Sequence, residues 1–348
     1  MDKFSNYRKF HFLNLKNPSQ GDARAARKEI KLRAAARDFA EAKSYSIADA
    51  HCDTISKIFN NGEELYQNSG HIDIKRLIEN NVGLQFFAVW IEPSLDRPFN
   101  RACEMIKMYH EQAAKNMDVV TKVRSKWDYD EDKLNSVLTL EGGQVLEGSI
   151  ENLETFYSMG ARLLTLTWNG ENEIGFGALT VDGQPSEGGG LKAFGIEVVR
   201  RMEELGMMID VSHLSEDGFW DVVRHTKKST PIFATHSNCK AICDHPRNLT
   251  DEQIKLIIER KGFIGLNLYP DFLGGNDIEL IVAHAKHIIA LGGEDVLGFG
   301  FDFDGVDKLP EGINGIENAH LIIEKLSEHF DEPLLRKICG ENLISKIK

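Results

Sequence analysis

From about residue 45 onward, short apolar segments alternate with longer segments of helical periodicity, and this alternation constrains the fold most strongly. Each short segment is rich in β-branched and apolar residues, which is typical of strands buried on both faces of a parallel sheet. The segments comprise residues 46–53, 82–90, 137–141, 162–168, 207–213, 231–236, 263–269 and 296–302. Eight strands separated by helices predict an α/β fold, the (β/α)8 TIM barrel.

Helix boundary signals lie between these strands. Apolar residues recur at helical spacing over 191–205, and Gly206 follows as a C-terminal cap. Ser215 and Thr250 each precede two acidic residues, a pattern that predicts a helix N-terminus. Residues 316–348 are predicted to close the barrel with helices.

The charge of the chain is unevenly distributed. The 348 residues carry a net charge of -13, yet residues 1–45 contain 11 Lys and Arg against 5 Asp and Glu. We therefore predict a basic N-terminal extension over 1–44, helical from about 22 to 42, ahead of a catalytic barrel over 45–348. A short basic arm can contact membranes or RNA, although an additional solvated helix is the preferred interpretation. The acidity of the whole chain argues against a nucleic acid partner.

The number and spacing of the cysteines and the hydropathy of the chain indicate the cellular compartment. Five cysteines without a Cys-x-x-Cys pair predict neither a disulfide framework nor a zinc ribbon. No segment approaches 18 consecutive apolar residues, and no apolar segment of signal-peptide length follows the first residues. We expect a cytoplasmic protein without a membrane anchor.

Polar side chains with metal-binding capacity stand at the ends of the predicted strands, where the active sites of such barrels lie. His51 and Asp53 alternate along the first strand and so share a face. Glu141 ends the third strand, and its two oxygens can bridge two metals about 3.5–4 Å apart. The glycines at 142 and 143 allow the backbone to turn away sharply.

The fifth, sixth and eighth strands end in the same way. His213 and His236 each follow an apolar segment, and Asp210 and Ser212 could hold their outer imidazole nitrogens. After the eighth strand two aspartates share a face, so that one can reach the metals while the other supports the loop. Together these ends predict a two-metal site formed by His51, Asp53, Glu141, His213, His236 and Asp302, with Asp304 in support.

With these residues assembled, the sequence resembles the membrane (renal) dipeptidase family of zinc peptidases, as a soluble member of bacterial type. The resemblance covers about residues 47–347. Its motifs are Asp49-Ala-His-Cys-Asp53, Leu140-Glu-Gly-Gly143, Leu164-Thr-Leu-Thr167, Ile209-Asp-Val-Ser-His213, Thr235-His-Ser237, Arg247-Asn248 and Gly298-Phe-Gly-Phe-Asp-Phe-Asp-Gly305. It implies a dizinc dipeptidase with a metal-dependent hydrolase barrel, a small-molecule substrate and possible homodimer formation.

The resemblance also implies roles for individual residues. His51 and Asp53 would bind one zinc ion, His213 and His236 the other, and Glu141 both. Those ions would activate a bridging hydroxide.

Catalytic and substrate-binding roles follow from the same resemblance. Asp302 resembles the catalytic aspartate near the first metal, and Glu141 shares the catalytic role as the bridging ligand. Arg247 would receive the terminal carboxylate of the substrate, with Tyr269 as its helper. Without the resemblance, Arg247 would be interpreted as a surface loop charge.

One position departs from the family pattern. Animal members have a histidine after Leu-Thr-Leu-Thr that is thought to contact the scissile carbonyl, whereas this chain has Trp168. An indole donates one hydrogen bond but does not titrate as an imidazole does, so Asn169, Asn172 or the second metal would take over that contact. This departure leaves open a related amidohydrolase that acts on N-acyl amino acids or other small amides. A barrel that binds a ligand without catalysis is a further alternative.

Overall fold

The computed structural model describes residues 45–347, and the predicted extension over 1–44 lies outside them. Within this part of the chain, parallel strands form one continuous sheet. The strands are β1 (Ile47–Asp49), β2 (Val82–Trp90), β3 (Val120–Lys122), β4 (Leu134–Glu141), β5 (Ala161–Thr165), β6 (Met208–Asp210), β7 (Ile232–Ala234), β8 (Phe263–Leu266) and β9 (Leu297–Phe299).

Eight of these strands close into a barrel. They follow one another in the order β1, β2, β4, β5, β6, β7, β8 and β9, and the pairing of Asp49 with Phe299 joins β9 to β1. Helices lie between successive strands, so the predicted (β/α)8 barrel is confirmed. The short strand β3 is an addition that was not predicted. It pairs with the first three residues of β4, and two of its own three residues are only half-buried, which weakens the apolar signal.

The predicted helix boundaries also agree with the structure. The helix Ala193–Leu205 ends at Gly206, whose left-handed backbone (φ +67°) closes its last turn. Ser215 and Thr250 cap their helices by accepting hydrogen bonds from the first-turn amides. The α-helices are Thr54–Asn61, Ile74–Glu79, Pro98–Lys115, Ile150–Ser158, Ala193–Leu205, Glu216–His225, Asp251–Glu259, Pro270–Leu273, Glu279–Ala290, Ala319–Ser327, Glu332–Arg336 and Asn342–Ile344, with a π-helix at Lys337–Glu341 and 3-10 turns at Lys126–Asp128, Gly143–Leu146 and Ile316–Asn318.

The strands bury apolar side chains on both faces. Val137 and Leu163 belong to an apolar cluster inside the barrel, whereas their neighbours Leu138 and Leu164 pack in the layer between the strands and the helices. The inner cluster comprises Ala48, Ala50, Leu84, Phe86, Val123, Val137, Leu163, Phe233, Phe263 and Leu343. This packing fixes the strands, so that their carboxyl ends form a rigid platform.

The predicted ligands lie at or just beyond these carboxyl ends. β1 ends at Asp49, two residues before His51, and β9 ends three residues before Asp302. The strands are therefore shorter than predicted, and most of the candidate ligands stand on the loops that leave the barrel. Within the described residues, no helix combines the length and the apolar character needed to cross a membrane.

Candidate metal centre

The candidate ligand side chains, which stand at the end of β4 or shortly after β1, β6, β7 and β9, converge at one mouth of the barrel. His51 Nε2 lies 3.3 Å from Asp53 Oδ2 and 3.4 Å from Glu141 Oε2. On the other side of the same carboxylate, Glu141 Oε1 lies 3.0 Å from His213 Nε2 and 3.6 Å from His236 Nε2. Glu141 thus presents one oxygen to each half of the site.

Two sets of ligand atoms are close enough to share a cation. The potential ligand atoms of His51, Glu141 and His236 all lie within 4.8 Å of one another, and so do those of His51, Asp53 and Asp302. His51 belongs to both sets, while His213 is joined to the first through Glu141. All of these side chains are buried, at 8% exposure or less.

Backbone conformation contributes to this convergence. His213 and Asp302 have φ angles of +67° and +65°, in the left-handed region that residues other than glycine rarely adopt. Such strain clusters at functional sites, where the surrounding structure holds it in place. The carbonyl of His213 accepts a hydrogen bond from the amide of Ala178, and the amide of Asp302 donates to the carbonyl of His51.

A buried hydrogen-bonded chain orients His236. The Thr235 hydroxyl donates to Asp210 Oδ2 at 2.6 Å and lies 2.8 Å from His236 Nδ1. Because the single hydroxyl hydrogen is given to Asp210, the Nδ1–H of His236 donates to Thr235, and the lone pair is left on Nε2. Asp210 also accepts from Thr165 Oγ1 and from the amide of Ser212.

The prediction that Asp210 and Ser212 hold the outer imidazole nitrogens of His213 and His236 is therefore wrong. Asp210 acts on His236 only through Thr235, and the Ser212 hydroxyl accepts from the amide of His236 instead of contacting its ring. The ring of His213 is oriented by Asn169, whose Oδ1 lies 3.2 Å from Nδ1. Asn169 was expected to contact substrate. Its present contact depends on the path of the loop after β5, which local sequence does not reveal.

The two aspartates after β9 have different partners. Asp302 Oδ2 accepts a hydrogen bond from Asn267 Nδ2 at 2.8 Å, and its Oδ1 faces His51 Nε2 at 3.7 Å. Asp304 instead accepts from Thr54 and Lys57, so it supports the loop as expected. The amide of Asn267 thus leaves one oxygen of Asp302 directed toward the site.

Burial and neighbouring charges shift the pKa values of the three histidines in different directions. Burial lowers the pKa of both His213 and His236 well below the ordinary value, and nearby positive groups lower it further. Burial acts the same way on His51, but the carboxylates of Glu141 and Asp53 outweigh it and raise its pKa well above the ordinary value. Burial also raises the pKa of Glu141, and the charge of Asp53 adds to this effect. Two neutral imidazoles beside a cluster of carboxylates suit a cation.

The donor set fits a divalent metal. Imidazole nitrogens and carboxylate oxygens are the ligands of zinc, manganese and cobalt in proteins. His236 Nε2, which lies 3.6 Å from Glu141 Oε1, is buried and has no hydrogen-bond partner among the described residues. Because buried polar atoms are normally satisfied, an unpartnered imidazole nitrogen next to a carboxylate oxygen indicates a place for a ligand–metal bond.

A cavity of about 620 Å³ opens above this cluster. Asp53, Glu141, His213 and Asp302 lie at its base, and the predicted substrate residues Trp168, Asn169 and Tyr269 form part of its wall. Trp90 also borders the cavity, although it was not predicted as a site residue. A tryptophan that ends an apolar strand carries no signal that distinguishes it from a core residue.

Arg247 is buried and is not a surface charge. It is 4% exposed, donates to the carbonyl of His236 at 3.3 Å, and its guanidinium lies 5.2 Å from the ring centre of Phe272. Its Nε has no hydrogen-bond partner among the described residues. Burial lowers its pKa to about 10, so the side chain keeps its charge at neutral pH.

Comparison with known sequences gives consistent matches. The sequence model of the membrane dipeptidase family (peptidase family M19) matches residues 37–347. An uncharacterized protein of Klebsiella pneumoniae is 36% identical over 228 residues, which are 63% of this chain and 83% of that protein. An uncharacterized dipeptidase of Schizosaccharomyces pombe is 30% identical over 299 residues, which are 79% of this chain and 72% of the relative.

Comparison with solved structures also finds metallopeptidases of similar fold. A dipeptidase described as a metallopeptidase of family M19 superposes with a TM-score of 0.80 at 28% identity, covering 88% of this chain and 98% of its own. A metallopeptidase from Rhodobacter sphaeroides, solved with a phosphinate mimic of the dipeptide L-Ala-D-Ala, also gives 0.80 at 26% identity, covering 88% and 99%.

Proposed function

The chain belongs to the membrane dipeptidase family, peptidase family M19, and is a metal-dependent hydrolase of peptide bonds; on that premise we propose that it cleaves free dipeptides with two bound zinc ions. The observation that carries the proposal is the position of Glu141. Its two oxygens face different histidines, as a carboxylate shared by two metals requires.

The ligands divide between two ions that share one carboxylate. His51 and Asp53 would hold the first ion, His213 and His236 the second, and Glu141 both. Two such ions, when bound, lower the pKa of water toward neutrality and polarise a carbonyl group. Zinc suits the three imidazoles, although manganese and cobalt accept the same donors.

Asp302 is the proposed proton carrier. Asn267 holds its Oδ2, so Oδ1 is free to accept a proton from the attacking water and to deliver it to the leaving amine. Burial raises the pKa of Asp302, which brings the carboxyl closer to the pH at which such a transfer is efficient.

Arg247 is the proposed anchor for the substrate carboxylate. A buried guanidinium without a paired carboxylate is costly, and a carboxylate ligand would offset that cost with charge-assisted hydrogen bonds. Asp302 and Glu141 act on Arg247 through space, but among the described residues its guanidinium donates a hydrogen bond only to the backbone carbonyl of His236. Arg247 itself does not line the cavity of about 620 Å³, but it packs on the Phe272 ring that does, and Tyr269 packs on the same ring and would assist it.

A single anchor and a confined cavity favour short substrates. A cavity of about 620 Å³ has room for a dipeptide near the ligands, and a carboxylate bound at Arg247 would set the distance to the scissile bond. The related Rhodobacter sphaeroides structure, with its mimic of L-Ala-D-Ala, supports dipeptides as the substrate class and makes a D-residue at the C-terminus worth testing.

Hydrolysis of N-acyl amino acids is the second candidate function. Trp168 favours it, because an indole next to His213 offers an apolar surface where an acyl group could pack. Both substrate classes carry the carboxylate that Arg247 would bind, so the difference lies in the amino side of the scissile bond.

A substrate screen tests the proposal. Zinc-loaded protein would be assayed with dipeptides that have L or D C-terminal residues, and with the matching N-acetyl and N-lauroyl amino acids. We expect kcat/KM to be highest for dipeptides and zinc content to approach two equivalents. Higher kcat/KM for N-acyl amino acids would favour the second function. Less than one equivalent of zinc, with no activity on reconstitution, would instead indicate a non-catalytic barrel.

A further inference from the structure

Two tryptophan side chains form one wall of the cavity. Trp90 ends β2, in register with Glu141 of β4, and Trp168 follows β5. Their ring centres are 5.1 Å apart with the planes inclined by 65°, an edge-to-face contact. Trp168 in turn lies 6.2 Å from the ring of His213. Each indole restrains the other, so the pair presents a fixed apolar surface next to the proposed ligands.

This tryptophan wall, Trp90 and Trp168, lies across the barrel from the proposed carboxylate anchor. Its residues come from β2 and from the loop after β5, on either side of β4, whereas Arg247 and Tyr269 follow β7 and β8. In the closed ring of eight strands, β8 is opposite β4. A dipeptide whose carboxylate is bound on the β7–β8 side therefore extends its amino-terminal residue toward the tryptophan wall.

We propose that Trp90 and Trp168 form the subsite for the amino-terminal side chain and select dipeptides in which that side chain is bulky and apolar. This inference rests on the proposed dipeptidase function. Two indoles bury a large apolar area of a ligand, which favours leucine or phenylalanine over glycine at this position.

The test compares two series of dipeptides on the full-length, zinc-loaded protein. The first series varies the amino-terminal residue (Gly-Ala, Leu-Ala, Phe-Ala and Lys-Ala), and the second varies the other residue (Ala-Gly, Ala-Leu and Ala-Phe). The variants are Trp90→Ala and Trp168→Ala. Trp127→Ala is the matched control, because Trp127 is 84% exposed and does not border the cavity.

We expect kcat/KM for Phe-Ala to exceed that for Gly-Ala by about tenfold or more, a ratio that a few buried methylene groups supply. Trp90→Ala and Trp168→Ala should lower this ratio about tenfold without altering the ratio of Ala-Phe to Ala-Gly. Trp127→Ala should leave both ratios unchanged. Trp168→Phe, which retains an aromatic surface, should give an intermediate ratio and serves if an alanine variant fails to fold.

Several results would overturn the subsite. One is an equal loss of kcat/KM for every dipeptide in the variants, because a purely structural role would have that effect. Another is a wild-type preference for Lys-Ala, since the wall would then recognise a cation. A failure of the wild-type protein to hydrolyse any dipeptide would overturn the proposed function and the subsite together, whereas hydrolysis with unaltered ratios in the variants would overturn the subsite alone.

Discussion

The imidazole rings of His213 and His236 each have their Nδ1 atom near an oxygen of a neighbouring side chain. For His236 this oxygen belongs to Thr235, and for His213 it belongs to Asn169. A proton held on Nδ1 leaves the lone pair of Nε2 directed at Glu141, so these partners determine which nitrogen can bind a metal.

Replacement of Thr235 by valine tests this orientation. Valine has nearly the same shape but no hydroxyl, so His236 Nδ1 and Asp210 would both lose a hydrogen-bond partner. We expect zinc affinity to fall about 10- to 100-fold, the usual effect of removing such a partner. Competition with a chromophoric chelator measures the affinity. Thr235→Ser keeps the hydroxyl and should bind zinc almost as the wild type does. Wild-type affinity in the valine variant would contradict the proposed orientation.

Replacement of Asp302 by asparagine tests the proton carrier. The amide has the same shape but does not accept a proton, so we expect kcat for a dipeptide to fall by about 100-fold or more. Steady-state kinetics and metal analysis of the same preparation measure the two effects. Asp307→Asn, at the exposed rim of the cavity, removes an equal charge and should change kcat far less. If Asp302→Asn left both hydrolysis and metal content unchanged, the assignment would be wrong.

The candidate ligands could be identified from sequence because each follows an apolar strand, and the carboxyl ends of the strands meet at one mouth of the barrel. The residues that orient the ligands could not be identified in the same way. Asn169 and Asn267 are single amides on loops, and nothing in the local pattern shows that they contact His213 and Asp302. Their roles depend on backbone paths that only the folded chain defines.

The alternation of side chains along a strand predicts the face of a residue only as far as the strand continues. His51 and Asp53 lie beyond the end of β1, yet they contact each other as alternation predicts, because the bridge of Cys52 to Phe303 prolongs the extended backbone. After β9 the backbone becomes left-handed at residue 302 and again at residue 304, so the two aspartates there reach different partners. The prediction that Asp302 and Asp304 share a face assumed an extended backbone and is wrong. Asp304 nevertheless supports the loop as expected.

A buried histidine connects two elements away from the metal centre. His284, in the helix Glu279–Ala290, accepts a hydrogen bond from the amide of Cys239 at Nδ1, while its Nε2 lies 3.2 Å from the carbonyl of Leu273. The ring must be neutral for Nδ1 to accept. Burial accordingly lowers the pKa of His284 from 6.5 to about 4.

This pKa predicts how the free energy of unfolding depends on pH. The folded state binds the His284 proton more weakly than the unfolded state does. The contribution of His284 to the free energy of unfolding is therefore fully present above pH 6.5 and is lost as the pH falls toward 4. We expect His284 to account for a loss of about 2 kcal/mol between pH 7 and pH 5. Urea unfolding of the metal-free protein at both pH values measures this loss.

The variant His284→Gln isolates that contribution from those of the other buried histidines. Glutamine can donate and accept but does not titrate in this range, so the variant should be less stable at pH 7 and lose about 2 kcal/mol less than the wild type on acidification. Equal losses in the two proteins would show that His284 does not titrate as its surroundings predict.

In the molecule as a whole, the candidate metal centre brings together residues from strands around the barrel. Its candidate ligands stand at the end of β4 or shortly after β1, β6, β7 and β9, so a bound metal would connect segments that are far apart in sequence. Without a metal, burial raises the pKa of Glu141, and repulsion from the carboxylates of Asp53 and Asp302 raises it further. A cation removes that repulsion only in the folded state, where the ligands are together.

Zinc should therefore raise the melting temperature (Tm). A ligand at 100 times its Kd stabilises the folded state by about 2.7 kcal/mol, which corresponds to an increase in Tm on the order of 5 °C for a domain of this size. Calorimetry of protein treated with a chelator, before and after zinc is restored, measures the increase. Glu141→Gln removes the shared carboxylate and should reduce the zinc-dependent increase by more than half, because both proposed ions lose a ligand. If zinc left the Tm of the wild type unchanged, or raised the Tm of Glu141→Gln equally, the shared-carboxylate site would be refuted.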